Sequence, residues 1–391
     1  MSEDQQEIKK VDVLIQGGGI GGLSLAAFLQ RKGYVVEVVE RSLKLSEIGA
    51  GIWMAPNPLQ AFKKIGLDEV IVKNSWPVNA IEVSDHKGRV ISHMNLEIFK
   101  KEFGYYTMAI YRGRLQQILF DFLAPGTVIF GVKVHSWKQI SEGLEVQLSN
   151  GQKIQTKLLI GADGLHSEIR EKLFPESEKR YSGSSSYRAI VDLQEDIHPH
   201  GHLSREIWAP GCRLGFSRIS ATSYYWYLTF DSVASEKTSA VENFKHAQSL
   251  AEKYFSKYKM LIERADPQSI IRTDISDLKP LKDWRKGRVG LIGDAAHATT
   301  PNLGQGGAQA VEDAGALAEE ICSYGLTEQA LRSFIERRQE KARWIVNTSW
   351  SYRVFCHLRS PVSRSLRNIL FWVLPKAVTR QQLRKIYRLW N

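Results

Sequence analysis

Residues 11–40 constrain the fold of this chain more than any other stretch. They read VDVLIQGGGIGGLSLAAFLQRKGYVVEVVE. An apolar, β-branched run at the start is typical of a strand buried on both faces. Glycines follow at Gly17, Gly19 and Gly22, in the spacing G-x-G-x-x-G, and residues 23–30 then predict a helix. We therefore predict a strand, a tight turn, a helix and a second strand, the unit that begins many α/β domains.

The glycine spacing also predicts a dinucleotide site. The first glycine permits the turn, the second lets backbone N–H groups approach a pyrophosphate, and the third allows the helix to pack closely on the strand. Glu40, followed by Arg41, closes the second strand. An acidic side chain about 20 residues after the turn binds ribose hydroxyls and disfavours a 2′-phosphate. The residues therefore favour FAD or NAD over NADP.

Composition limits the class of protein. The chain has 391 residues, of which 43% are hydrophobic, enough for a substantial core. Its three cysteines, Cys212, Cys322 and Cys356, have no close spacing, which argues against a disulfide framework or a metal site. The polar N-terminus lacks the apolar segment of a signal peptide, so we expect a cytoplasmic protein.

The net charge of +11 is concentrated late in the sequence, between residues 337 and 388. Such an excess favours an anionic substrate, an acidic membrane surface or nucleic acid as partner. No nucleic-acid-binding module is recognisable, so no nucleic-acid partner is expected.

The pattern of strands and helices predicts more than one domain. Strand-like stretches gather between residues 181 and 230, a helical stretch follows at 241–265, and a buried strand returns near 289. We predict an α/β fold: a Rossmann-like nucleotide domain with an inserted α+β substrate domain and a C-terminal helical tail. The predicted nucleotide domain comprises residues 1–75, 108–180 and 275–345, the substrate domain 76–107 and 181–274, and the tail 346–391.

Two further motifs follow predicted strands. The first, DGLHSEIR, begins at Asp163, whose carboxylate is suited either to a ligand or to capping the next helix. The second, GDAAHATTPNLGQGGAQAVEDA, places Asp294 after a buried strand and then brings bare backbone N–H groups to a helix start. That helix start would stabilise negative charge on a reduced flavin. The residues of this turn are Pro301, Gly304, Gln305, Gly306 and Gly307.

Together, GGGIGG, DGLHSEIR and GDAAHATTPNLGQGG resemble the FAD-dependent group A monooxygenases of the para-hydroxybenzoate hydroxylase type. The resemblance covers residues 11 to about 338. The stretches around 187–189 and 211–230 look most like the urate hydroxylase and zeaxanthin-epoxidase-like branch. In family terms, the first glycines and Glu40 hold the adenosine pyrophosphate, Arg112 reaches the ribityl and pyrophosphate region, Asp163 serves FAD and NAD(P)H, and Asp294 binds the ribityl chain. Pro301 and the glycine turn, with Gln305, would flank the isoalloxazine.

The resemblance implies an activity. NADH or NADPH would reduce FAD, O₂ would add to the flavin, and the resulting hydroperoxide would hydroxylate or epoxidise an aromatic or conjugated small molecule. A flavin-dependent reductase or dehydrogenase of the same fold, without oxygen insertion, is the alternative, and a non-catalytic flavin protein is a third. His297 is interpreted as an ordinary loop histidine rather than a catalytic base.

Substrate contacts are expected on the inserted sheet. Arg213 and Tyr225 are candidate hydrogen-bonding or charge partners of the substrate, with Tyr187 nearby. The other interpretation gives Arg213 a surface ion pair and places the aromatic side chains in the core.

The tail combines apolar and basic side chains. Residues 369–374 are apolar and aromatic, and arginines and lysines surround them. Such a helix either lies weakly on a membrane surface or packs on the nucleotide domain as a cap, which is the commoner use of an amphipathic helix.

Overall fold

The computed structural model describes residues 8–45, 50–193, 197, 202–373 and 376–389. Residues 1–7 and 390–391, at the ends of the predicted domains, and Leu374 of the apolar tail run lie outside these ranges. The described strands, in chain order, are β1 (Lys9–Gln16), β2 (Val36–Glu40), β3 (Gly51–Met54), β4 (Trp76–Val78), β5 (Ala80–Asp85), β6 (Val90–Asn95), β7 (Thr107–Tyr111), β8 (Val128–Phe130), β9 (Val134–Ile140), β10 (Gly143–Leu148), β11 (Lys153–Gly161), β12 (Lys179–Asp192), β13 (Leu203–Ala209), β14 (Cys212–Arg218), β15 (Ser223–Asp231), β16 (Ile271–Leu278), β17 (Arg285–Lys286) and β18 (Val289–Leu291).

The described α-helices connect or cover these strands. In chain order they are α1 (Ile20–Gln30), α2 (Pro56–Lys63), α3 (Asp68–Lys73), α4 (Glu97–Phe103), α5 (Arg112–Phe122), α6 (Glu168–Leu173), α7 (Ala240–Tyr254), α8 (Met260–Glu263), α9 (Asp294–His297), α10 (Gly306–Tyr324), α11 (Glu328–Cys356), α12 (Pro361–Val373) and α13 (Lys376–Tyr387). Short 3-10 helices lie at Ser256–Tyr258, Pro267–Ser269 and Pro301–Leu303.

The first sheet carries the nucleotide-type topology. Its order is β17-β18-β11-β1-β2-β8, and β18, β11, β1, β2 and β8 run parallel. Strand β1 is central, and from Val11 onward it is buried except at Asp12, as its apolar run predicts. Helices α1 and α10 pack against each other. The predicted α/β class is confirmed, and the carboxyl ends of the parallel strands form the edge where such sheets bind ligands.

The second sheet has seven strands in the order β16-β12-β15-β14-β13-β5-β6. Helix α7 packs on one of its faces, where Trp226, Leu228 and Phe230 of β15 meet Ala247 and Ala251 of the helix in a separate core. The opposite face looks towards β3. A small sheet, β3-β7-β4, lies between the two large ones. No helix in the described ranges has both the length and the apolar character to cross a bilayer.

Candidate flavin and substrate site

The turn after β1 is too tight for side chains at two of its glycines. Gly17 has φ +117°, and a methyl group on Gly22 would lie 2.0 Å from the Gly17 carbonyl oxygen. The backbone N–H of Gly18 donates to Glu40 Oε2 at 2.7 Å, so the carboxylate at the end of β2 helps to hold the turn. Gly19 is the N-cap of α1, with open space around it. The structure therefore brings the predicted phosphate turn and Glu40 together.

An apolar cavity of about 470 Å³ lies beside the end of β2. Phe130, which pairs with Glu40 in the sheet, lines it together with Leu43, Tyr111 and Phe120. Arg41 is exposed at the end of the same strand. The cavity gives the turn an adjoining apolar pocket of the kind an aromatic base occupies.

Asp163 follows the carboxyl end of β11 and accepts hydrogen bonds from the first N–H groups of α6, whose N-cap is Ser167. Its Oδ2 accepts hydrogen bonds from Gln16 Nε2 at 2.7 Å and from the N–H groups of Glu168 and Ile169 at 2.9 and 3.3 Å. Its other oxygen, Oδ1, is buried and has no hydrogen-bond partner. A buried carboxylate oxygen without a partner is costly, so a ligand that donates to it would stabilise this site.

Asp294 begins α9, directly after β18, and is exposed. The protein packed around the carboxyl group of Asp294 raises its pKa overall, although the positive groups His297 and Arg112 act to lower it. Burial lowers the pKa of Arg112, Asp294 acts against that effect, and Arg188 of β12 adds to it. These mutual effects mean that Asp294, Arg112 and Arg188 share one electrostatic environment.

The glycine turn faces β3. Pro301 is exposed at the start of a short 3-10 helix, and Gly304 ends that helix with φ +61°. A methyl group on Gly304 would lie 3.7 Å from the ring of Trp53, and one on Gly307 would lie 2.6 Å from Ile52 Cδ1. A methyl group on Gly306 would lie 3.8 Å from Asp294 Oδ1. The glycine turn, Asp294 and β3 therefore lie next to one another and form one candidate site for the flavin ring.

The side chain of Gln305 points away from this candidate flavin site. It is buried, and its Oε1 accepts a hydrogen bond from Asn57 Nδ2 at 3.1 Å. Gln305 is the N-cap of α10, so its backbone, rather than its amide group, belongs to the turn.

The face of the second sheet that looks towards β3 is aromatic. Tyr225 and Tyr227 are half-buried, with ring centroids 6.1 Å apart. A methyl group on Gly51 would lie 2.5 Å from the Tyr225 ring, and Trp53 Nε1 donates to Ser217 Oγ at 3.3 Å. Burial raises the pKa of Tyr225, so its hydroxyl stays protonated at neutral pH and can donate a hydrogen bond.

The expectation for Tyr187 is wrong. Neighbouring residues of a strand point to opposite faces, and Tyr187 pairs with Leu228 on the face that packs on α7. Its side chain is 2% exposed, and its hydroxyl bonds to His246 Nδ1 at 3.0 Å. Arg188 occupies the face predicted for Tyr187.

Arg213 lies on the predicted face, but its guanidinium is bonded to protein groups. It is 3% exposed and donates to Glu206 Oε1 at 3.1 Å and to Thr229 Oγ1 at 3.0 Å. It also bonds to Asn302 next to the glycine turn and to Cys356 Sγ. Burial lowers the pKa of Arg213, but Glu206 outweighs it and raises the value. The surface ion pair considered from the sequence is in fact buried, and it joins the second sheet to the turn.

A buried charged network behind the turn escaped the sequence analysis. Arg338, which is fully buried, donates to Asp313 Oδ1 at 2.9 Å and to Glu312 Oε2 at 2.7 Å. Asn57 donates to Glu312 Oε1 at 2.6 Å. In a sequence, acidic residues on one helix and arginines on the next usually indicate exposed side chains. Only the tertiary packing shows that Arg338, Glu312 and Asp313 are buried together. His297 is also part of the network: its Nε2 lies 2.5 Å from Asp313 Oδ2, and the ring is 5% exposed.

These features define a class of protein. A glycine turn at the end of β1, a buried unpartnered carboxylate oxygen at Asp163 after β11, and Asp294 after β18 fit a dinucleotide lying along the carboxyl edge of the first sheet. The fold is that of the FAD-dependent monooxygenases.

The chain belongs to the family described as FAD binding domain, which matches residues 10–349. It is 36% identical over 345 residues to aurachin C monooxygenase/isomerase of Stigmatella aurantiaca, covering 88% of each chain. It is 35% identical to 2-heptyl-3-hydroxy-4(1H)-quinolone synthase of Pseudomonas aeruginosa, covering 96% of this chain and 97% of the relative.

A solved structure agrees with the fold. The structure of Klebsiella pneumoniae HpxO complexed with FAD and uric acid superposes with a TM-score of 0.86, at 25% identity, over 97% of this chain and 96% of that chain. The predicted family and FAD as cofactor are confirmed, and the chain is an enzyme of the FAD-dependent monooxygenase group.

Proposed function

We propose that this enzyme hydroxylates an alkyl-substituted 4-quinolone or a closely similar bicyclic heteroaromatic compound, with NADH or NADPH as the electron source. The observation that carries the proposal is the half-buried aromatic face of β15 opposite the glycine turn. The name of the Pseudomonas relative supports the class, because it describes a quinolone with a heptyl chain.

The surroundings of Tyr225 suit a ring with an apolar substituent. Trp53, Ile190 and Trp344 are partly buried in the same apolar cluster as Tyr225. Flat aromatic rings stack on such side chains, and an alkyl chain loses contact with water there. The polar groups nearest to Tyr225 are its own hydroxyl, Ser217 Oγ, which pairs with it across the sheet, and the guanidinium of Arg188, whereas Arg213 and Tyr227 on the same face are bonded to Glu206. Such a wall favours a mostly apolar substrate with one or two polar atoms.

The protein residues bind and orient the reactants. In this proposal the backbone N–H groups at the start of α1, from Gly19 onward, would receive the pyrophosphate of FAD, because the Gly17 and Gly18 N–H groups already donate to the Val39 carbonyl and to Glu40. Asp163 and Asp294 would accept hydrogen bonds from its sugar portions. The start of α10 faces the flavin ring. When bound, FAD supplies the transfer of electrons to O₂ and of one oxygen atom to the substrate. The aromatic wall excludes water and holds the substrate ring, while the Tyr225 hydroxyl donates a hydrogen bond to a substrate oxygen.

A cationic group near Asp163 supports a nicotinamide dinucleotide as reductant. Lys179 Nζ lies 3.4 Å from His166 Nδ1. Burial lowers the pKa of His166, and so do Lys179, Arg170 and Arg41, whereas Glu171, which pairs with Lys179 at 3.5 Å, acts to raise it. Positive groups gathered beside the flavin domain would attract the phosphates of NADH or NADPH.

Two proposals concern location. We propose that the enzyme is cytoplasmic, and its three free cysteines support this, because disulfides are rare in that reducing compartment. We also propose weak contact of the basic C-terminal segment with a membrane surface, because residues 341–391 contain 11 lysines and arginines and no aspartate or glutamate.

The test measures NADH and NADPH oxidation and O₂ uptake by the purified holoenzyme with 2-alkyl-4-quinolones, urate and simple phenols. We expect a 2-alkyl-4-quinolone to accelerate both rates and to yield a product with one added oxygen atom. Acceleration by urate or phenols alone would refute the substrate class. Anaerobic reduction of the organic compound without O₂ uptake would replace the monooxygenase reaction with the reductase alternative.

A further inference from the structure

Helix α12 has its apolar face towards solvent. Val362, Leu366, Ile369, Leu370, Trp372 and Val373 are each 52–71% exposed. Spacings of three and four residues place most of them on one side of the helix. More than half of the large apolar side chains that are exposed in the described part of the chain lie between residues 354 and 378. A helix on a monomer surface normally buries this side.

The opposite, more polar side of α12 faces the protein. Arg367 is buried, donates to the Phe355 carbonyl at 2.9 Å and lies over the Trp208 ring at 4.5 Å. Phe371 packs edge-on against Trp208, with centroids 5.5 Å apart. Trp372 Nε1 donates to the Val90 carbonyl at 3.1 Å. These contacts determine the orientation of the helix, so its apolar face remains outward.

Helix α13 behaves differently. Ile386 and Tyr387 are buried beside Phe99 and Phe103 of α4, and Lys341 Nζ donates to the Arg388 carbonyl at 2.7 Å. Thus α13 caps the apolar cluster near the substrate face, whereas α12 leaves Val362, Leu366, Ile369, Leu370 and Val373 more than half exposed.

The charge of the surrounding segment indicates what covers α12. Residues 1–340 contain 42 basic and 42 acidic side chains, so the whole net charge of +11 belongs to residues 341–391. A second copy of the chain would bring another strongly basic segment to the same place, which electrostatic repulsion disfavours. A bilayer with anionic headgroups offers both a partner for the cations and an apolar layer for the exposed side chains.

We infer that α12 docks on a bilayer containing anionic lipids, with Leu366, Ile369 and Leu370 in the boundary between headgroups and acyl chains. Trp372 lies at headgroup level, and exposed basic side chains of the following helix, Arg380 among them, face the lipid phosphates. The inference deepens the proposed membrane contact and is independent of the proposed reaction.

Co-sedimentation of the full-length holoenzyme with vesicles tests the inference. The vesicles contain phosphatidylcholine alone, or phosphatidylcholine and phosphatidylglycerol at about three to one. We expect partitioning to be about tenfold stronger with the anionic vesicles and to weaken as salt rises. Equal, negligible sedimentation with both kinds of vesicle would overturn the membrane contact itself.

A triple variant, Leu366→Ser, Ile369→Ser and Leu370→Ser, tests the helix face. Partitioning should fall about tenfold or more, with unchanged FAD content and unchanged NAD(P)H oxidation without vesicles. The matched control replaces three exposed valines elsewhere, Val70→Ser, Val233→Ser and Val241→Ser, and should partition like the unmodified chain.

Two results would refute the role of α12. The triple variant could partition as strongly as the unmodified enzyme, which would place the contact elsewhere. Alternatively, sedimentation velocity could show a dimer that the triple variant dissociates, which would make a second copy the partner of this face. Failure of the proposed reaction would appear only in the turnover assay, so the two tests remain distinct.

Discussion

Replacing Gly22 by alanine tests the close approach of α1 to the preceding turn. The new methyl group would lie 2.0 Å from the Gly17 carbonyl oxygen and 3.3 Å from Ile15 Cγ2. The helix and the turn must therefore separate by about 1.5 Å to reach ordinary van der Waals contact. Nine of the eleven residues of α1 are buried, so it has little freedom to move.

The expected cost follows from this crowding. Overpacking costs about 2–3 kcal/mol, and the better helix propensity of alanine returns up to about 1 kcal/mol. We expect Gly22→Ala to lower the free energy of unfolding of the FAD-free protein by about 1–2 kcal/mol in urea titrations. Flavin fluorescence titration should show FAD affinity reduced at least about tenfold, since the displaced turn no longer presents its N–H groups correctly.

Gly19→Ala is the matched control. Gly19 has φ −78°, and an added methyl group meets nothing within 4 Å. The free energy of unfolding of Gly19→Ala should differ from that of the unmodified protein by less than about 1 kcal/mol, which is the typical effect of replacing an N-cap residue. FAD affinity should nevertheless fall, because the methyl group would face the pyrophosphate. If Gly22→Ala unfolds at the same urea concentration as the unmodified protein, the steric argument is refuted; undiminished FAD affinity in Gly19→Ala would refute the phosphate assignment.

Three further predictions concern the buried network and the sheet face. Removing the buried cation by Arg338→Met should destabilise the fold by about 3 kcal/mol in urea titrations, since two buried carboxylates lose a partner; a change below about 1 kcal/mol would contradict that role. Burial alone would raise the pKa of Asp313, but His297 and Arg338 hold it at about 2. The ionised Asp313 therefore stabilises the fold above about pH 4, and this contribution is lost as the pH falls towards about 2. In Asp313→Asn the decrease in the free energy of unfolding between these pH values should be smaller by about 2 kcal/mol. An equally steep decrease in the variant would refute this assignment. Tyr225→Phe should raise the KM for the accelerating substrate several-fold, whereas Tyr187→Phe, on the other sheet face, should leave KM unchanged; equal effects would contradict the assigned faces.

Local sequence was sufficient for the nucleotide turn. The steric need of Gly22 involves Gly17, five residues away, and the helix that follows depends on the same short stretch. Gly17 is predictable from its place in the motif, although the atoms that crowd it belong to Ala162 at the end of β11. Glu40 was also predictable, because the length of the helix and strand determines where the second strand ends. For the same reason Asp163 was predicted both as a helix cap and as a ligand group, and the structure shows the capping bonds together with an unpartnered oxygen.

The substrate face was only partly predictable. Alternation along β15 implies that half of its aromatic side chains are buried, but not which half. Pairing with β12 and the position of α7 place Tyr225 on the open face and Tyr187 in the core. The same limit applies to Arg213, because its partners Glu206 and Asn302 come from separate parts of the chain.

The sequence by itself determined the α/β class, the phosphate turn and the family, because each depends on short motifs whose chemistry is local. Tertiary structure alone decided which side chains face the substrate, how Arg338 is neutralised, and which half of the tail is buried. These outcomes depend on contacts between residues far apart in the chain, and on the energetic cost of leaving charges or apolar surface without partners. In α12 the burial of Arg367 against Trp208 turned the apolar side outward, a result that the amphipathic pattern by itself does not specify.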